Sequence, residues 1–174
     1  MSQRLLIIGA GIYGLVAKEI ALGMDSFDEI AFVDDSRETA ADGSRVVGGF
    51  ADMPKLVKEY ESVAVAIGNP DARLELIDRL RSECSLEAVT LVSPLAYVSS
   101  SASVAEGCII EPMAVVHSAC ALERGCIISA GAVVNHASVC REGAHVDCNA
   151  TVAGYVEVPA KTKIKSGTLF EGAV

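Results

Sequence analysis

The chain has 174 residues, 51% of them apolar but only 5% aromatic, with no tryptophan. Fourteen Lys and Arg stand against 23 Asp and Glu, a net charge of −9. That hydrophobicity excludes a disordered chain, and the acidic balance argues against a general nucleic-acid binder, which needs a basic surface to meet phosphates.

The first element in chain order is a buried strand at Leu5-Leu-Ile-Ile, followed by Gly9-Ala-Gly-Ile-Tyr-Gly14 and a helix over about 15–23. The glycines interrupt the apolar start and no small-residue cleavage site follows, so no signal peptide is expected. No apolar run reaches the roughly 20 residues of a membrane span. The expected setting is the cytoplasm, without membrane insertion.

Glu29–Val33 reads as a second strand ending at Asp34-Asp35, and a Gly-, Asp- and Arg-rich loop follows. Met53–Tyr60 reads as a short helix and Ser62–Ile67 as a third strand closed by Gly68-Asn69-Pro70. Residues 71–83 have helical spacing, and Val89–Val92 reads as a fourth strand. Strands alternating with helices predict a parallel sheet with helices on its faces.

Gly9, Gly11 and Gly14 form a GxGxxG between a strand and a helix, the context of the dinucleotide fingerprint. Amides at a helix start can hold phosphate, and Asp34 or Asp35 can reach a ribose hydroxyl. Alone, this motif reads as NAD binding. Only about 90 residues carry this pattern, however, which is little more than one mononucleotide half. Asn69 reads equally as a helix cap.

From residue 96 the period becomes six. Positions 98, 104, 110 and onward to 170 hold large aliphatic residues or Phe in twelve of thirteen cases, Cys140 being the exception. Four residues after each of the first twelve stands an uncharged residue no larger than Val. One large and one small inward residue per hexad is the signature of a hexapeptide β-helix, three hexads to a coil. Stacked coils pair their backbones about 4.8 Å apart. The six cysteines, at 84, 108, 120, 126, 140 and 148, contain no CxxC pair. Four of them fall in the repeat's inward positions, so reduced core thiols are expected and no metal site.

Gly9-Ala-Gly-Ile-Tyr-Gly-Leu-Val, Phe32-Val-Asp-Asp, Ala66-Ile-Gly-Asn and Val134-Asn-His occur in this order ahead of and within the repeat. In this the chain resembles the sialic acid O-acetyltransferase (NeuD-type) family, which includes the bacterial UDP-4-amino-sugar N-acetyltransferases (PglD-type). The resemblance implies an α/β plus all-β protein. A Rossmann-like nucleotide-sugar-binding domain over 1–92 would precede a left-handed β-helix acyltransferase domain over 96–174. It further implies acetyl-CoA as co-substrate, a nucleotide-sugar partner and a homotrimer with acetyl-CoA between neighbouring helices. Gly9, Gly11, Ile12, Tyr13, Gly14, Asp34, Asp35, Gly68 and Asn69 would then line the nucleotide-sugar pocket. Tyr13 stands where UDP-sugar relatives often carry His.

His136 is the candidate base, two residues past inward Val134 and outside the core. A neutral imidazole can take the proton that a sugar amine or hydroxyl loses on attacking a thioester. The resemblance places the family's catalytic His after Asn or Asp, as in Asn135-His136. It also places His145 against acetyl-CoA, and bare Gly154, eighteen residues after His136, would leave room for pantetheine. Two departures stand out. Ala137 replaces the acid that usually follows the base, and Ser118 and His117, eighteen residues before His136 and Asn135, supply no carboxylate. The repeat also stops near Phe170, which implies a shorter acetyl-CoA groove.

Two other readings remain open on the sequence. One is a degenerate homologue that binds nucleotide sugar or scaffolds a trimer without catalysis. The other is a zinc carbonic anhydrase, for which His117, His136 and His145 would have to converge across a trimer seam.

Overall fold

The structure, a computed structural model, describes residues 3–172. The outermost residues of the two expected domains, 1 and 174, lie outside it. The described residues fall into two compact units, divided between Leu91 and Val92. Among them, no helix is long and apolar enough to cross a membrane.

In the N-terminal unit, β1 (Arg4–Ile8) leads into α1 (Ile12–Gly23), β2 (Glu29–Val33) and β3 (Val46–Gly48). A 3₁₀ turn at Phe50–Asp52, α2 (Met53–Leu56), β4 (Ser62–Val65) and α3 (Pro70–Cys84) complete it. The four strands form a parallel sheet in the order β3-β2-β1-β4. Both faces of the sheet are buried, as parallel strands require. Leu6, Ile8, Ala31, Val33, Val63 and Val65 join Leu74, Ile77 and Leu80 of α3 in one cluster. The opposite face, with Ile7 and Phe32, receives α1. A Cβ on Gly14 would stand 3.2 Å from the Phe32 ring, so this glycine sets the helix close to the sheet.

Four expectations are corrected here. The loop after β2 contains the edge strand β3, whose three residues are too short to show a pattern. The helix near 53 is one turn, with Pro54 in it, and the chain runs on to Tyr60 in turns. Residues 89–92 add no fourth strand. Val89 makes one ladder bond to Val63 (2.8 Å), after which Leu91–Val92, β5, aligns with the repeat. The GxGxxG helix also starts at Ile12, because extended Gly11 is its N-cap.

The second unit is a left-handed parallel β-helix. Its two-residue strands are β6 (Tyr97–Val98), β7 (Ser103–Val104), β8 (Ile109–Ile110), β9 (Val115–Val116) and β10 (Ala121–Leu122). They continue as β11 (Ile127–Ile128), β12 (Val133–Val134), β13 (Val139–Cys140) and β14 (His145–Val146). The last four are β15 (Thr151–Val152), β16 (Glu157–Val158), β17 (Lys163–Ile164) and β18 (Leu169–Phe170). They stack into three faces, β6-β9-β12-β15-β18, β7-β10-β13-β16 and β5-β8-β11-β14-β17. Ile128 pairs in register with Ile110 below and Val146 above, so the ladder repeats every eighteen residues.

Both expected inward positions are buried through the middle coils, while Val98, Val104 and Phe170 at the two ends are only partly buried and Thr168 is exposed. Ile110, Val116, Leu122, Ile128, Val134, Val146 and Val152 fill the prism, and Cys108, Ala114, Cys120, Cys126, Ala132 and Ser138 lie beside them. Each large aliphatic side chain contributes roughly 1.5–3 kcal/mol by burial. The buried thiols also act as donors. Cys108 Sγ reaches the Glu123 carbonyl at 3.2 Å, Cys120 that of Asn135 at 3.0 Å and Cys126 that of Arg141 at 3.3 Å. Burial pushes the Cys140 thiol up to about 12, and the neighbouring Cys108 thiol together with burial raises that of Cys126. The sulfurs of Cys126 and Cys140 stay protonated.

The corner itself turns one residue before the small position. Eleven successive corners, from 107 to 167 in steps of six, hold a residue with positive φ. Glycine fills five of them, while Met113, Ala119, Ala137, Asn149, Tyr155 and Lys161 fill the other six. The missing acid after His136 is therefore also a left-handed corner residue, Ala137 at φ 55°.

Candidate active site

His136 leaves the prism just after β12. Its Nδ1 lies 2.8 Å from Asn135 Oδ1, which also accepts the His136 backbone N–H at 2.9 Å. An amide oxygen only accepts, so Nδ1 carries the proton in the neutral ring and Nε2 keeps its lone pair. Asn135 thus fixes the tautomer, a task that the sequence assigned to the missing carboxylate. Asn135 is itself held from inside, by Cys120 Sγ on its carbonyl. Ser138 donates to the Ala153 carbonyl at 2.7 Å and accepts from Val156 N–H, tying this corner to the next coil.

The imidazole lies over Gly154. A Cβ there would stand 2.9 Å from Nε2, so the imidazole itself occupies the room expected for pantetheine. The ring also leans one residue off the backbone register. Its aromatic neighbours are His117 (6.4 Å between centroids) and Tyr155 (5.1 Å), both nearly perpendicular to it, rather than Ser118.

His145 belongs to β14, on a different face from β12, so one chain does not bring it to His136. Its Nε2 lies 2.9 Å from Ser129 Oγ, which donates to Glu111 Oε1 at 3.2 Å. Asp147 Oδ1 is 3.8 Å away on the same ring nitrogen, and Asp147 Oδ2 pairs with Lys163 Nζ at 2.9 Å. Burial alone would raise the Asp147 carboxyl. Lys163, the Cys148 amide and Ser166 outweigh it and bring the group down to about 2. Among the described residues, no three His, Cys, Asp or Glu side chains gather into a metal site.

The N-terminal unit holds a separate pocket of about 250 Å³ at the carboxyl ends of its strands. Of the expected residues, Gly9, Asp34 and Asp35 line it. Gly9 needs its φ of 106°, and a Cβ there would stand 2.7 Å from the Ala66 carbonyl oxygen. Phe50, Ile67 and Leu76 supply an apolar wall that no motif announced. Arg79 backs it, with its guanidinium 3.9 Å from the Phe50 ring centroid.

Gly11, Ile12, Tyr13, Gly14, Gly68 and Asn69 do not line this pocket. Gly11 and Gly68 have open space where a Cβ would stand. Ile12 is exposed, and Tyr13 sits half-buried in the first turn of α1. Asn69 Oδ1 caps α3 through Ala72 N–H at 3.0 Å. Fully buried Arg73 was missed. It donates to the carbonyls of Ile67 (2.7 Å) and Gly68 (2.9 Å) and so shapes the β4–α3 loop.

The two acids are engaged within the protein. Asp34 accepts from Ala10 N–H (2.9 Å) and from both donors of Ser36, so the loop holds both of its oxygens in place. Burial raises this carboxyl, but those hydrogen bonds and Arg37 carry it below the ordinary value. Asp35 accepts from Phe50 N–H at 2.7 Å and so joins the 3₁₀ turn to the pocket.

Residues 4–80 match the PglD N-terminal domain. The likeness to solved structures extends beyond this PglD-like unit to nearly the whole chain. The acetyltransferase domain of PglB from Neisseria gonorrhoeae FA1090, in complex with acetyl coenzyme A, is similar at 27% identity and a TM-score of 0.91. That match covers 97% of this chain and 82% of that one. A histidine-to-asparagine mutant of perosamine N-acetyltransferase from Caulobacter crescentus, in complex with CoA and GDP-perosamine, shares 24% identity at a TM-score of 0.81, over 97% and 88% of the two chains. WeeI from Acinetobacter baumannii AYE matches at 17% and 0.67, with the same coverage. These last two show the fold alone. A comparison with curated protein sequences finds no match.

Proposed function

We propose that this protein is an acetyl-CoA-dependent acetyltransferase whose acceptor is a nucleotide-linked amino sugar, with His136 as general base. The observation that carries the reading is the state of His136. Its Nδ1 is satisfied by Asn135 Oδ1 and its Nε2 lies over bare Gly154. It occupies this place in a chain similar, over nearly its whole length, to an acetyltransferase domain in complex with acetyl coenzyme A.

In this reading the sugar amine attacks the thioester carbonyl. A carbon–nitrogen bond forms, and Nε2 takes the proton that the amine loses. The carbon–sulfur bond then breaks, and the imidazolium returns the proton to the departing CoA sulfur. The amide oxygen of Asn135 holds Nδ1–H throughout. It carries no full charge, so it supports the imidazolium less than a carboxylate does. The PglD-like unit supplies the nucleotide site, with Gly9 and the Phe50 wall forming the pocket and Asp34 and Asp35 setting its loops.

His145 serves as an acetyl-CoA contact in this reading. It lies on another face from His136, so the complete site is the seam of a homotrimer. The buried protonated thiols suit a reducing, cytoplasmic setting.

The test is release of CoA thiol from acetyl-CoA with a panel of UDP-, GDP- and dTDP-linked amino sugars. With the right sugar, His136→Ala lowers turnover by at least about 10²-fold. No release with any sugar from a folded wild-type protein would overturn the reading in favour of a binding-only homologue.

A further inference from the structure

Six of the eleven left-handed corners of the β-helix carry a side chain, and the one that meets the His136 ring carries tyrosine. Tyr155 has φ 61°, in the left-handed region where a side chain crowds the following carbonyl. Five other corners use glycine, and Met113, Ala119, Ala137, Asn149 and Lys161 fill the remaining five. Burial does not offset the strain, because Tyr155 is 79% exposed. What the side chain does contact is His136, with ring centroids 5.1 Å apart and planes at 87°.

We propose that Tyr155 is a positioning residue for His136, holding the imidazole in the orientation that lays Nε2 over Gly154. The inference rests on His136 being the base. The geometry gives each neighbour of the ring one task. Asn135 Oδ1 holds Nδ1, Gly154 leaves the ring its place, and Tyr155 and His117 stand perpendicular to it. Tyr155 is the nearer of the two aromatic neighbours, and its backbone N–H donates to the His136 carbonyl at 3.0 Å. The backbone bond recurs at other corners, as from Ala137 to Ser118 and from Lys161 to Glu142, so the ring contact is what the tyrosine side chain adds.

The test uses Tyr155→Gly and Tyr155→Phe, with thiol release, KM for acetyl-CoA and the thermal midpoint as readouts. Tyr155→Gly is expected to lower kcat about tenfold, while KM for acetyl-CoA stays within about twofold. Its thermal midpoint does not fall, because glycine relieves the corner. Tyr155→Phe keeps the ring and stays within about twofold of wild type in every readout. Unchanged kcat in Tyr155→Gly would overturn the inference. So would a Tyr155→Phe variant as impaired as the glycine one, which would point to the hydroxyl. Full activity in His136→Ala would instead overturn the function on which the inference rests.

Discussion

Leu6 in the N-terminal unit and Ile128 in the β-helix are both fully buried strand residues, but they find their partners differently. Leu6 lies beside Ala31 and Val63, at unequal separations along the chain. Ile128 lies beside Ile110 and Val146, each eighteen residues away, as does every rung of that ladder. A constant separation makes the core a local property that repeats. Unequal separations make it a property of the assembled sheet.

The sharpest way to break the comparison is to place a charge in the repeating column. Ile128→Asp buries a carboxylate with no partner, and the β-helix is expected to lose more than about 4 kcal/mol. Urea unfolding followed by circular dichroism would show it, and a loss below about 1 kcal/mol would mean that the column tolerates local opening.

In the N-terminal unit the corresponding weak point is polar. Arg73→Leu removes the donor to the Ile67 and Gly68 carbonyls and is expected to cost about 2–4 kcal/mol. Reported by the same unfolding curves, it would show that this unit depends on a contact no repeat encodes.

Gly154→Ala compares the two kinds of information at one residue. Its Cβ would stand 2.9 Å from His136 Nε2, so the ring must leave its place. Turnover is expected to fall at least about tenfold, with the thermal midpoint nearly unchanged because the corner backbone is not left-handed there. Equal turnover in Gly154→Ala and wild type would show that the imidazole works from another orientation.

The smallest effect concerns Asp147, beside His145. Its folded pKa, about 2, lies below the ordinary value of 3.8. A depressed carboxylate pKa contributes stability above the unfolded value, and that contribution is lost as pH falls through the folded one. Asp147→Asn should therefore cost about 1–2 kcal/mol at neutral pH, allowing for the exposure of Lys163. The gap between variant and wild type should close as pH falls from about 4 to about 2. A gap that persists at pH 2 would assign the effect to packing.

The site divides along the same line as the fold. His136 was legible because it follows Asn135 two positions past an inward residue, and the position of Gly154 followed from the eighteen-residue rung. The use of Gly154 was not legible, because which way the imidazole turns depends on where Asn135 Oδ1 stands. In the PglD-like unit, the glycine motif and the acids at the end of β2 were visible. That Asp34 is engaged by Ala10 and Ser36, and that Phe50 and Leu76 form the pocket wall, was not. Those contacts join segments whose spacing carries no period.

By itself, the sequence determined the β-helix with most of its inward residues, the parallel character of the N-terminal sheet and the place of His136 beside Asn135 just outside the core. Each of these rests on a short-range rule, namely the hexad, the strand–helix alternation or a side chain's own chemistry. Only the tertiary structure decided the edge strand β3, the corner positions with left-handed backbone, the buried Arg73 and the partners of His136. Each of these depends on which distant backbone or side chain arrives alongside, and packing settles that only when the whole unit is assembled.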